Sequence, residues 1–167
     1  MLGASGAPAA QTLTVLTTMN FGKVEFTNTT LNGNLTLSPN GAVDYGGNNS
    51  SGNGIGTAGQ VRIHGTTGST VNIRCTDTMT VRHTSGASLS FGEVRMSAGT
   101  PQTFAAASAC RENLDQNVLT HVLNANAAQN IIYIGGRLTT NGIAVQNGMY
   151  STTNSGATEA TLRVIYQ

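Results

Sequence analysis

Three histidines, seven carboxylates and two cysteines are the side chains in this 167-residue chain whose types could serve catalysis or hold a metal. His64, His83 and His121 stand far apart, and none falls at metal-ligand spacing with another His, a Cys or a carboxylate. Each is read as a solvent-facing strand residue. Cys75 and Cys110 are too widely separated for the CxxC pattern of redox and zinc sites. The carboxylates are Glu25, Asp44, Asp77, Glu93, Glu112, Asp115 and Glu159. A glycosidase needs two of these about 5 to 9 Å apart across a cleft. With four Phe, four Tyr and no Trp, the chain offers no aromatic platform for a sugar. No G-x-S-x-G nucleophile elbow occurs. Asp44 precedes an Asn-rich stretch but lacks the calcium-loop pattern, so a solvated loop is expected there. These residues predict no enzyme, no catalytic residues, no metal and no cofactor.

Composition narrows the class further. Charged residues make up 9% of the chain, against about 25% in an ordinary soluble domain. Eight Lys and Arg are scattered singly at a net charge of +1. No basic stripe exists to neutralise phosphates, so no nucleic-acid partner is expected. No apolar run approaches the roughly 18 residues that span a bilayer, so no membrane insertion is expected. Solubility rests instead on 25 Thr, 17 Asn and 21 Gly. Threonine favours strands, and Asn and Gly favour tight turns. So few charges also mean little repulsion between copies. An even cysteine count in such a chain fits a secreted protein with one disulfide, Cys75–Cys110, the alternative being two reduced, buried thiols. That bridge would add about 4 kcal/mol by the chain-entropy model.

The elements that must position these residues are strands. The segment from Ala160 to Gln167 alternates apolar and polar, and Leu13, Val15, Met19 and Phe21 alternate near the other end. Both ends are therefore expected to do structural work. Further strands are predicted at 12–18, 20–26, 34–38, 60–64, 70–76, 79–83, 88–96, 118–123, 130–134, 149–152 and 158–166. Val61, Ile63, Val71, Ile73 and Cys75 should face a core, with Arg62, His64, Asn72 and Arg74 turned away. Residues 102–114 are expected to form a loop or a single turn, and the Gly/Asn-rich stretch 46–54 a surface loop. Met19-Asn20-Phe21-Gly22 is echoed by Leu89-Ser90-Phe91-Gly92, where a bulge or close backbone approach is expected. Ala7-Pro8-Ala9 looks like the small-residue end of a signal peptide, without the charged and apolar regions that precede one. Strands about every ten residues suggest an all-β sandwich or barrel.

Four segments carry a family resemblance: Met19-Asn20-Phe21-Gly22, Ile134-Gly135-Gly136-Arg137-Leu138, Gly148-Met149-Tyr150-Ser151-Thr152 and Leu162-Arg163-Val164-Ile165-Tyr166-Gln167. In this order they resemble a family of secreted bacterial domains of unknown function, with the pattern LxFG, GGxL, GxYS and VxVxYQ. That family looks related to archaic chaperone–usher pilins and spore-coat-U-like domains. The chain departs from the pattern at Met19, where Leu is usual, and in its long loop at 46–54. The resemblance implies an immunoglobulin-like β-sandwich left one strand short and completed by a donor strand from a neighbouring subunit. It implies a homopolymer, assembled with a periplasmic chaperone and an outer-membrane usher into an extracellular surface filament, a pilus or fimbria. Residues 1–18 would be the N-terminal extension and 19–167 the sandwich domain. Residues 1–10 are small and would fill a groove poorly, so Leu13, Val15 and Leu16 are the donor anchors expected. If that segment stays in its own domain, the subunit is self-complete and assembles through its faces. Leu162, Val164, Tyr166 and Gln167 would line the groove and present the C-terminal carboxylate to the chaperone. The alternative functions are a cell-surface adhesin or carbohydrate-binding module and, third, a viral capsid or decoration protein.

Overall fold

Strand formation follows the β-branched residues. The computed structural model describes residues 12–26, 30–31, 33–46, 50–52, 56–139, 143–144, 146 and 148–167. Residues 1–11, including the Ala7-Pro8-Ala9 stretch, and most of the Gly/Asn-rich stretch 46–54 lie outside them. The strands are β1 (Thr12–Thr17), β2 (Val24–Phe26), β3 (Thr30–Leu31), β4 (Asn34–Leu37), β5 (Val43–Asp44), β6 (Ser50–Gly52), β7 (Gly59–His64) and β8 (Thr70–Cys75). They continue with β9 (Met79–His83), β10 (Ser88–Ala98), β11 (Ser108–Ala109), β12 (Leu119–Val122), β13 (Ile131–Thr139), β14 (Ile143–Ala144), β15 (Tyr150–Ser151) and β16 (Leu162–Tyr166).

The larger sheet runs β1-β7-β13-β10-β9-β15, with β11 beside β10 and with β4 and then β5 branching from β13. The smaller sheet is β12-β8-β16. Two short ladders, β2 with β6 and β3 with β14, complete the pairing. Ile63 of β7, Ile132 of β13, and Val94 and Met96 of β10 meet Val71, Ile73 and Cys75 of β8 in one buried cluster, joined by Leu123 and Cys110. The chain is therefore an all-β sandwich. Its order β1-β7-β13-β10 over β8-β16 is that of strands A-B-E-D over C-F in an immunoglobulin-type sandwich.

The family-like segments build a second cluster. Leu35, Leu89, Phe91 and Leu138 are buried together, with Met19, Phe21 and Tyr150 packed against them. The two phenylalanines of the sequence echo touch, their ring centroids 5.5 Å apart. Gly92 sits at a bulge, where the β10–β13 register shifts between Phe91 and Glu93. Gly22 does something different. Its N–H bonds to Asn20 Oδ1 at 2.8 Å and its φ is +74°, so the chain turns there. The strand expected from Asn20 accordingly begins only at Val24. Gly135 and Gly136 allow close packing: a Cβ would come within 2.2 Å of the Leu37 carbonyl oxygen at the first, and 2.7 Å of the Phe91 ring at the second.

Cys75 and Cys110 form a disulfide, with Cα atoms 5.1 Å apart and both residues buried. Backbone bonds from Cys110 N to Val94 O (2.8 Å) and Arg111 N to Cys75 O (3.0 Å) flank it. Within the stretch 102–114, expected as a loop or a single turn, one turn forms, in which Ala107 N donates to Thr103 O, but Ser108–Ala109 is extended as β11 against β10. Arg95 fastens this loop, donating to the Phe104, Ala105 and Ala107 carbonyls. The Phe104 ring lies under Arg95 and Arg137, at 4.9 and 4.8 Å, and Glu93 pairs with both arginines, at 2.6 and 3.2 Å.

Other differences concern strand limits. Ser50–Gly52, expected within a surface loop, pairs with β2. The last strand starts at Leu162 and not at Thr158, which makes only an isolated bridge to Thr80. A 3₁₀ turn at Ala127–Asn130 was not expected; Asn126 caps it, accepting from Ala128 N at 3.0 Å.

Candidate functional site at an open sheet edge

Alternation in β16 decides which of its side chains meet the core. Leu162, Val164 and Tyr166 pair with Cys75, Ile73 and Val71 of β8 and share their inward face. All three pack on the main cluster yet remain half-buried. Arg163 and Ile165 pair with Arg74 and Asn72 and face outward. The carboxy-terminal end of the strand is held in place: Thr66 N donates to Tyr166 Oη at 3.2 Å, Gln167 N to Thr70 O at 3.0 Å, and Gln167 Nε2 to Asn72 Oδ1 at 3.0 Å. Gly65 makes room for this, since a Cβ there would sit 1.7 Å from Tyr166 Oη. Among the described residues β16 pairs with β8 alone, and its far edge carries no ladder. Such an edge is a template for another strand.

The segment expected to donate a strand is β1, and here it is an edge strand of the chain's own larger sheet. It runs antiparallel to β7, with Leu13 opposite Ile63 and Val15 opposite Val61, and the register slips between Val15 and Thr17. Leu13 therefore continues the core-facing side of the sheet beyond buried Ile63, but the described residues cover it only in part. Leu13 is 42% exposed, Val15 65% and Leu16 38%. On the opposite face the Thr14 hydroxyl and His64 Nε2 are hydrogen-bonded at 3.0 Å. No ladder joins β1 to β16 among the described residues, so the two apolar sets expected to meet do not meet within this copy.

The other residues singled out by type lie elsewhere. His64 is exposed as expected. His83 is half-buried beside the Tyr150 ring, at 5.3 Å. His121 is also half-buried, because its position opposite Val71 turns it to the inward face, where Nε2 lies 3.4 Å from Asn130 Oδ1. No cluster of three potential metal ligands occurs among the described residues. The exposed Lys23–Glu25 pair, 2.7 Å apart, lowers the Glu25 pKa and raises that of Lys23, first through its hydrogen bond and then through charge.

One feature of the edge went unseen in the sequence: outward-facing Arg163 directly opposes Arg74. Alternation alone turns Arg163 outward, but only the β8–β16 register places the second arginine beside it. The model of a family described as a domain of unknown function, DUF4402, matches residues 12–162, from the first residue of β1 to the first of β16. No curated protein and no solved structure matches.

Proposed function

The chain belongs to the DUF4402 family, and we propose that it is a structural subunit of an extracellular surface filament that polymerises by strand addition between copies. One juxtaposition carries the reading: a β16 edge that carries no ladder among the described residues, backed by half-buried Leu162, Val164 and Tyr166, and a β1 strand, laddered to β7 through Leu13 and Val15, whose Leu13, Val15 and Leu16 side chains are left partly exposed. Moving β1 from its own β7 to the β16 edge of the next copy breaks one ladder and forms another, leaves β7 as the sheet's edge, and gives the β1 apolar side chains a new surface to pack on. Strand addition of this kind supplies affinity through the ladder and specificity through alternate side chains. Full burial of each such side chain is worth about 1.5–3 kcal/mol. The low charge of the chain suits close packing of copies. In this reading the subunit is exported, and a periplasmic chaperone covers the β16 edge until an usher passes the subunit to the growing filament.

The test is the assembly state of the full chain, followed by gel electrophoresis in SDS without boiling and by negative-stain electron microscopy. SDS-resistant ladders and fibres are expected, and deletion of residues 1–17 should abolish them while circular dichroism still reports a folded β protein. Equal ladders after the deletion would overturn the proposal.

A further inference from the structure

Arg74 and Arg163 face each other across β8 and β16, on the side of the small sheet turned away from the core. Like charges directly opposed on neighbouring strands destabilise a sheet. Among the described residues no carboxylate lies within ion-pair distance of either one, the ion pairs being Lys23–Glu25 and those of Glu93 with Arg95 and Arg137. Arg74 has neutral partners: its Nε donates to Asn117 Oδ1 at 2.8 Å and its Nη1 to Leu114 O at 2.9 Å. Arg163 is exposed and belongs to the strand with the open edge.

We infer that Arg163 is the specificity-determining residue of this edge, selecting an added strand that carries a hydrogen-bond acceptor between its two inward-facing apolar anchors. The inference rests on the strand-addition reading and names the occupant as segment 12–17 of a second copy. Faces alternate along any strand. Anchors seated beside Leu162 and Val164 therefore place the residue between them beside Arg163, whether the added strand runs parallel or antiparallel to β16. In segment 12–17 the anchors are Leu13 and Val15, and the residue between them is Thr14. Its hydroxyl, hydrogen-bonded to His64 in the chain's own sheet, exchanges that partner for the Arg163 guanidinium. A carboxylate at the same place forms charge-assisted bonds and offsets the Arg74–Arg163 repulsion. A lysine there adds a third positive charge.

The test uses labelled peptides of residues 12–18 with Thr14 retained or replaced, Thr14→Asp and Thr14→Lys, titrated by fluorescence anisotropy into the full chain refolded and kept at a concentration below that at which sedimentation velocity shows assembly. In low salt the Thr14→Asp peptide should bind about fivefold more tightly than the Thr14 peptide, and the Thr14→Lys peptide about fivefold more weakly, the scale of a good exposed ion pair. In the Arg163→Gln chain, or in about 0.5 M salt, the spread should shrink toward equality. Equal binding of all three to the unaltered chain, or a spread that survives Arg163→Gln, would overturn the role of Arg163 and leave strand addition standing. No binding by any peptide would overturn both.

Discussion

Replacing Val15 by threonine separates the cost of folding from the cost of assembly. The two side chains have the same branched shape, so strand geometry and β propensity are kept and mainly apolar surface is lost. Val15 is 65% exposed in the folded chain. Fully buried, the exchange of a methyl for a hydroxyl would cost about 1.5–3 kcal/mol, about 0.8 from lost transfer and the rest from desolvating the hydroxyl; only about a third of that burial contributes to the fold, so the monomer should lose about 0.5–1 kcal/mol. Strand addition would cover the remaining two thirds, about 1–2 kcal/mol, which corresponds to an association constant lower by about 5- to 30-fold per interface. Urea unfolding followed by circular dichroism reads the first effect, and sedimentation velocity over a concentration series reads the second. Ile73→Ala is the contrasting control: Ile73 is fully buried and should lose about 2–5 kcal/mol of monomer stability. Assembly of Val15→Thr within twofold of the unaltered chain, with its monomer destabilised as far as that of Ile73→Ala, would refute the reasoning.

Reducing the Cys75–Cys110 bridge should lower stability by about 4 kcal/mol on the chain-entropy model, visible as a lower urea midpoint with reductant than without. Gly65→Ala should dislodge the Tyr166 ring, because its Cβ would lie 1.7 Å from Tyr166 Oη; a loss of about 1–3 kcal/mol is expected, partly relieved in the double variant with Tyr166→Phe. For the Lys23–Glu25 pair, the lowered Glu25 pKa means its favourable contribution is full above the unfolded pKa and fades as pH falls through the folded one. The raised Lys23 pKa means its contribution fades as pH rises through the folded value. Because the pair is exposed, the effect should show in an NMR titration of the Glu25 carboxyl, with a midpoint below the ordinary glutamate range that returns toward it in Lys23→Ala.

Much of the sandwich could be read before folding. β8 and β9 begin and end where alternation and turn residues put them to within a residue, and Ile63, Val71, Ile73 and Cys75 all face the core as their spacing implied. The short strands β3, β5, β6, β11 and β14 escaped, because two or three residues carry no periodicity of their own and pair only when a distant segment arrives. β6 is the clearest example: Ser50–Gly52 is turn-like in composition yet extended against Val24–Phe26. The 3₁₀ turn at Ala127–Asn130 was hidden among Asn and Ala, and buried Asn130 explains it by bonding Asn124 through both side-chain ends, at 2.7 and 2.8 Å. Of the candidate site, the inward set Leu162, Val164 and Tyr166 was legible from alternation. The arginine pair and the Thr66–Tyr166 bond were not, since both join residues far apart in sequence.

By itself the sequence determined that this protein is β-built and sparsely charged, and which side chains of each strand share a face. These are local properties, set by β-branching, turn chemistry and a two-residue period. Only the tertiary structure decided that β1 sits against β7, that among the described residues β16 pairs with β8 alone, and that Arg163 meets Arg74. Strand partners and register are selected by the packing of the whole core, and an open edge exists only once every other strand has found its neighbour.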